Sequence, residues 1–200
     1  MPESSQSLQL SSVLDYLDHT GGELVTELRL SRALLNRSVP NKWTIAQIAQ
    51  HLIRAERTML IIWKVVPALQ RFPLLAKTMD RANASLWRSM GMRIIEPVTE
   101  RITPANALAG KFRAPAFLSP PNRPIELDQL LADRTAVRNQ TLKAVSAIPA
   151  DLLQRLSWSL PHSGSYTLVE LVQFIGIHES HHLPQIRHIR EQLDAAHTSA

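Results

Sequence analysis

Between Tyr166 and Leu193 the chain commits to a long amphipathic helix that carries two histidines on its apolar side. Leu171, Phe174, Ile175, Ile186, Ile189 and Leu193 recur at helical spacing, and His178 and His182 fall inside that stripe. Residues i and i+4 of a helix stand above one another, so the two imidazoles come within reach of one cation. Imidazoles facing a core need partners. A divalent metal satisfies them, as do carboxylates or water, and the HxxxH spacing alone leaves these readings open. His181 lies to one side of the stripe as a flanking residue, and Gln185 shares the face of His178 and His182. Gln185 is a candidate for hydrogen-bonding a substrate or water, or else a buried amide satisfied by backbone.

The rest of the chain reads as helices to pack against this one. Leu10, Val13, Leu14, Leu17, Leu24 and Leu28 form a first apolar face, weakened by Gly21-Gly22, each costing up to ~1 kcal/mol in a helix interior, so that a kink or split is expected there. A turn through Val39–Lys42 leads to a second helix from Trp43 to about Val66, with Thr44 and Gln47 as a capping box and Ile45, Ile48, Leu52, Ala55 and Met59 on its apolar face. His51 lies on the flank of that face. Residues 67–124 are irregular and proline-rich, with a short helix over Met79–Met90, and read as an extended crossover. A third helix spans Ile125 to about Ile148, a loop runs from Pro149 to Ser165, and Thr167 with Glu170 caps the fourth helix. Strand signals are scarce. The expected fold class is all-α, a four-helix bundle with its long crossover between helices 2 and 3, formed by one domain over 1–200 with disordered tails at about 1–7 and 195–200.

Composition narrows the chemistry. The 200 residues suffice for a sizeable core, and the absence of cysteine excludes disulfides, thiolate ligands and a cysteine nucleophile. The polar start resembles no secretory signal, and the most apolar run, Met59–Leu69, is broken by Lys64 and Pro67, so a soluble cytoplasmic protein without membrane contact is expected. The net charge of +5 is unevenly spread: no Lys or Arg precedes Arg29, and most bases lie between Arg29 and Arg113. They stand singly, without a glycine-aromatic signature beside them, which argues against a nucleic-acid surface. Charges inside apolar stripes require pairing: Glu56 on the second helix, and Arg134 and Arg138 on the third, read as a buried ion bridge. The competing reading gives Glu56 to proton transfer as a catalytic residue and the arginines to a substrate carboxylate or phosphate.

Two distant segments, Lys42-Trp-Thr-Ile-Ala-Gln-Ile-Ala-Gln-His-Leu52 and His178-Glu-Ser-His-His-Leu-Pro-Gln-Ile186, resemble the DinB-like superfamily of metal-binding helical bundles, which includes YfiT-type hydrolases. Phe112-Arg-Ala-Pro115 and Leu118-Ser-Pro120 are similar to the crossover of one branch. The resemblance implies an up-down-down-up bundle and a three-histidine site of His51, His178 and His182 for nickel, zinc or a similar divalent ion. It further implies a metal-activated thiol or water acting on a small-molecule substrate, with a low-molecular-weight thiol as cosubstrate in some relatives, and pairing as a homodimer. The alternatives are a non-catalytic metal-binding stress or detoxification protein and a nucleic-acid-associated protein. The sequence departs from the family at Pro184, which removes one helical hydrogen bond just past His182 and is expected to kink the helix there.

Overall fold

The structure, a computed structural model, describes residues 2–70, 116–160 and 164–198. The described chain is mostly helical. Helix α1 spans Pro2–Leu30, α2 Ile45–Gln70, α3 Leu127–Ser146, α4 Ala150–Arg155 and α5 Leu168–Thr198. Single 3₁₀ turns at Arg32–Leu34 and Ala116–Leu118 precede α2 and α3. No described helix is long and apolar enough to cross a membrane.

The apolar stripes meet in one core. Val13, Leu17, Leu24 and Leu28 of α1, Ile45, Ile48 and Leu52 of α2, Leu130, Val137 and Val145 of α3, and Leu171, Ile175, Ile186 and Ile189 of α5 are all buried in a single cluster. Helix α1 packs mainly on α5, and α2 packs on both α3 and α5. Both expected capping boxes form. The Thr44 amide donates to Gln47 Oε1 at 2.9 Å while the Gln47 amide donates to Thr44 Oγ1 at 3.1 Å. At α5 the Thr167 amide donates to Glu170 Oε2 at 2.8 Å and the Glu170 amide to Thr167 Oγ1 at 3.3 Å. Reciprocal caps of this kind satisfy two donors that a helix start otherwise orphans, which fixes where α2 and α5 begin.

Several sequence expectations are corrected. Helix α1 is continuous through Gly21-Gly22 rather than split. Gly21 is small for a reason of packing: a Cβ there would overlap the guanidinium of Arg134 and press on Arg138 Nη1. The segment 149–165, expected as a loop, contains α4 and an antiparallel hairpin of β1 (Ser157–Leu160) and β2 (Gly164–Thr167), with Trp158 opposite Tyr166. Both rings are buried, so the hairpin closes the core beside α5. Four alternating residues are too short a run to stand out as a strand. Helix α2 continues past Pro67 to Gln70, and α5 passes through Pro184 without ending. The short helix expected over Met79–Met90 and most of the crossover lie outside the described residues.

Candidate metal centre

The second turn of α2 and the middle of α5 bring three imidazoles together. His178 Nε2 stands 3.2 Å from His51 Nε2 and 3.1 Å from His182 Nε2, and the three potential ligand atoms lie within 4.8 Å of one another. Among the described residues this is the one group of three such side chains able to share an ion. His51 is buried, and His178 and His182 are partly buried. Periodicity had left His51 on the flank of its helix. Trp43, just before the cap, packs against the His51 ring with centroids 5.2 Å apart.

Two of the rings are fixed from behind. The carbonyl of Leu118 accepts from His51 Nδ1 at 3.1 Å, and Gln185 Oε1 accepts from His182 Nδ1 at 2.9 Å. A neutral imidazole that donates through Nδ1 presents a lone pair at Nε2. Both lone pairs then face His178 Nε2. A hydrogen on that atom points at one of them squarely, leaving the other lone pair without a good donor. One divalent cation resolves the conflict, and nitrogens held ~2.05 Å from a tetrahedral ion lie ~3.3 Å apart, close to the two separations that His178 Nε2 makes with His51 and His182. The donor set therefore fits a divalent metal, with the outer hydrogen bonds that such ligands ordinarily make.

Electrostatics act in the same direction. Burial, then the neighbouring imidazoles of His182, His51 and His181, hold His178 well below the ordinary histidine value. Burial pulls His182 down to about 4 against the opposing bond from Gln185, and it lowers His51 against the bond to Leu118. All three are thus neutral near pH 7, the form that binds metal.

Gln185 is exposed, so it is not a buried amide satisfied by backbone; its oxygen accepts from His182, and its amide nitrogen is the group left for a substrate or water. Arg138 is buried and grips both oxygens of Glu56, Nε to Oε1 at 2.9 Å and Nη2 to Oε2 at 3.1 Å. Arg134 Nη2 lies 3.5 Å from Glu179 Oε1. The cavity beside Glu56 and His178 measures about 10 Å³, room for at most about one water molecule and none for a substrate. Two participants escaped sequence reasoning. Glu179 falls on the stripe of Ile175, Leu183 and Ile186, a signal that could have found it; the Leu118 carbonyl has none, because backbone groups carry no residue signature. His182, two residues before Pro184, has its Nε2 3.1 Å from that of His178.

A mostly helical protein with three histidines gathered between two of its helices is the class these features define. A profile of the DinB superfamily matches residues 16–186, and the chain belongs to that superfamily. It is also 31% identical over 88 residues to the uncharacterized protein YuaE of Bacillus subtilis (strain 168), a match covering 43% of this chain and 52% of YuaE, so the alignment spans about half the length of that relative. No solved structure matches significantly.

Proposed function

We propose that the chain is a divalent-metal-dependent enzyme in which His51, His178 and His182 hold nickel or zinc and a thiol or water is activated for transfer or hydrolysis on a small molecule. The observation that carries this is the convergence of three Nε2 atoms with two of the rings locked through Nδ1. When bound, a divalent ion supplies Lewis acidity that brings the pKa of water or a thiol toward neutrality. The chain's own groups do the rest. Leu118 and Gln185 orient two ligands, burial keeps the imidazoles neutral, and Trp43 shields His51. Because no substrate fits beside Glu56, that residue and the arginines belong to the scaffold in this reading. The four long helices are taken to form an up-down-down-up bundle, since the long connection between α2 and α3 allows those two to run parallel.

Beside Gln185 lies a hollow that none of the three histidines lines. A pocket of about 390 Å³, within the range of small-molecule sites, is floored by Trp43, Ile48 and Ile189 and rimmed by Lys42, His188 and Gln185, the residue that orients His182.

Elemental analysis of protein purified without chelator or affinity tag, alongside His51→Ala, tests the site. About one divalent ion per chain, lost in the variant, is expected. No metal in either protein, and none taken up on titration, would refute the centre. A screen of thiols with electrophiles and of hydrolysable esters and amides then tests turnover: metal uptake with no reaction across the panel would leave a non-catalytic metal-binding protein.

A further inference from the structure

One guanidinium joins all four long helices. Arg138 stands on α3; it binds both oxygens of Glu56 on α2, donates from Nη2 to Glu179 Oε1 on α5 at 2.8 Å, and donates from Nη1 to the Leu17 carbonyl of α1 at 2.7 Å. Thr20 of α1 donates to the other Glu179 oxygen at 2.8 Å, and Arg134 approaches the first. Two guanidiniums and two carboxylates therefore balance in the core. Networks of this kind add little net stability over an apolar packing of equal volume. What they add is geometry, because the planar fork of arginine accepts carboxylates only in narrow orientations.

Its location gives that geometry a consequence. Glu179 directly follows His178, Glu56 lies five residues beyond His51, and Glu56, His178 and Glu179 line one 10 Å³ cavity together. Apolar helix faces tolerate small sliding, whereas a metal centre needs its ligands held within about 0.5 Å. We infer that Arg138 is a positioning residue for the three-histidine centre, fixing the register of α2 against α5 that brings His51 to His178 and His182. This inference rests on the metal reading above.

The test compares the full-length native chain with Arg138→Lys and Thr20→Val. Zinc affinity is measured by competition with a chelator, and cobalt(II) is added to the metal-free protein to read ligand geometry from its visible absorption. Arg138→Lys retains a charge but loses the fork. It is expected to stay helical with a cooperative melt, to bind zinc about 10–100-fold more weakly, and to show an altered cobalt band. Thr20→Val, which removes the bond to Glu179 and a longer one to the Leu17 carbonyl at 3.3 Å, is expected to weaken zinc severalfold. A folded Arg138→Lys with native zinc affinity and an unchanged cobalt spectrum would overturn the inference. Should that variant fail to fold, the same null result in Thr20→Val overturns it. A native chain that takes up neither ion sinks the metal reading, and this inference with it.

Discussion

Acidification of the metal-free protein should remove stability in a window set by the histidines. His182 titrates at about 4 in the folded chain against 6.5 for a free imidazole. Its folded pKa is depressed, so the unfolded state binds the proton first; the stabilisation is present above pH 6.5 and is lost as pH falls toward 4. For one site the loss between pH 7 and pH 5 is about 2 kcal/mol, approaching about 3 kcal/mol by pH 4. His51 and His178 shift in the same direction and add to it, while Glu179, raised by burial, works in the opposite sense. The comparison that isolates His182 is therefore with His182→Gln, which lacks the titrating group. Urea unfolding of both proteins at pH 7 and pH 5, each freed of metal, is the assay. The native chain should lose about 2 kcal/mol more than the variant over this interval. Parallel losses, within about 0.5 kcal/mol, would refute the claim that burial holds this imidazole neutral. Saturating zinc should move the window to lower pH, because metal binds only deprotonated rings.

Three substitutions probe the surroundings. Glu56→Gln leaves Arg138 and Arg134 to share the single carboxylate of Glu179, one buried positive charge in excess, and should cost roughly 2–4 kcal/mol in denaturant unfolding; a cost below 1 kcal/mol would mean that water reaches the bridge. Gly21→Ala puts a methyl where the Arg134 guanidinium lies, and despite the better helix propensity of alanine it should destabilise by about 1–3 kcal/mol. Gln185→Ala frees the His182 ring and should weaken zinc about tenfold in a chelator competition while leaving the melting temperature of the metal-free protein unchanged.

Helices were legible wherever apolar spacing was long and capped. Thr44–Gln47 and Thr167–Glu170 mark the starts of α2 and α5 as the sequence implies, since a capping box is a local interaction with a local signature. The continuity of α1 was not legible, because the penalty at Gly21 is visible locally whereas the arginines that require a glycine there come from α3. Nor was the hairpin, which is stabilised by Trp158 and Tyr166 packing into a core assembled from elsewhere. Within the candidate centre, His178 and His182 follow from spacing on a single helix. His51 came from family resemblance alone, being a long-range partner that helix periodicity places off the apolar face. The ion bridge was foreseen as Glu56 with an arginine, yet Glu179 completes it from a position beside a ligand.

The turn at Ala116–Leu118 has a thermodynamic implication. Its Leu118 carbonyl holds His51, and Arg54, one helical turn along α2, clasps the Ser119 carbonyl at 2.6 Å. A segment 67 residues downstream of His51 thus shares a hydrogen bond with a prospective ligand. Linkage makes such an arrangement reciprocal: whatever factor metal loading contributes to seating this turn, seating the turn contributes to metal affinity. A molecule that grips or displaces residues 116–119 would therefore tune the ion's residence from outside the coordination sphere, and metal release would in turn loosen that molecule's hold or tighten it by an equal factor.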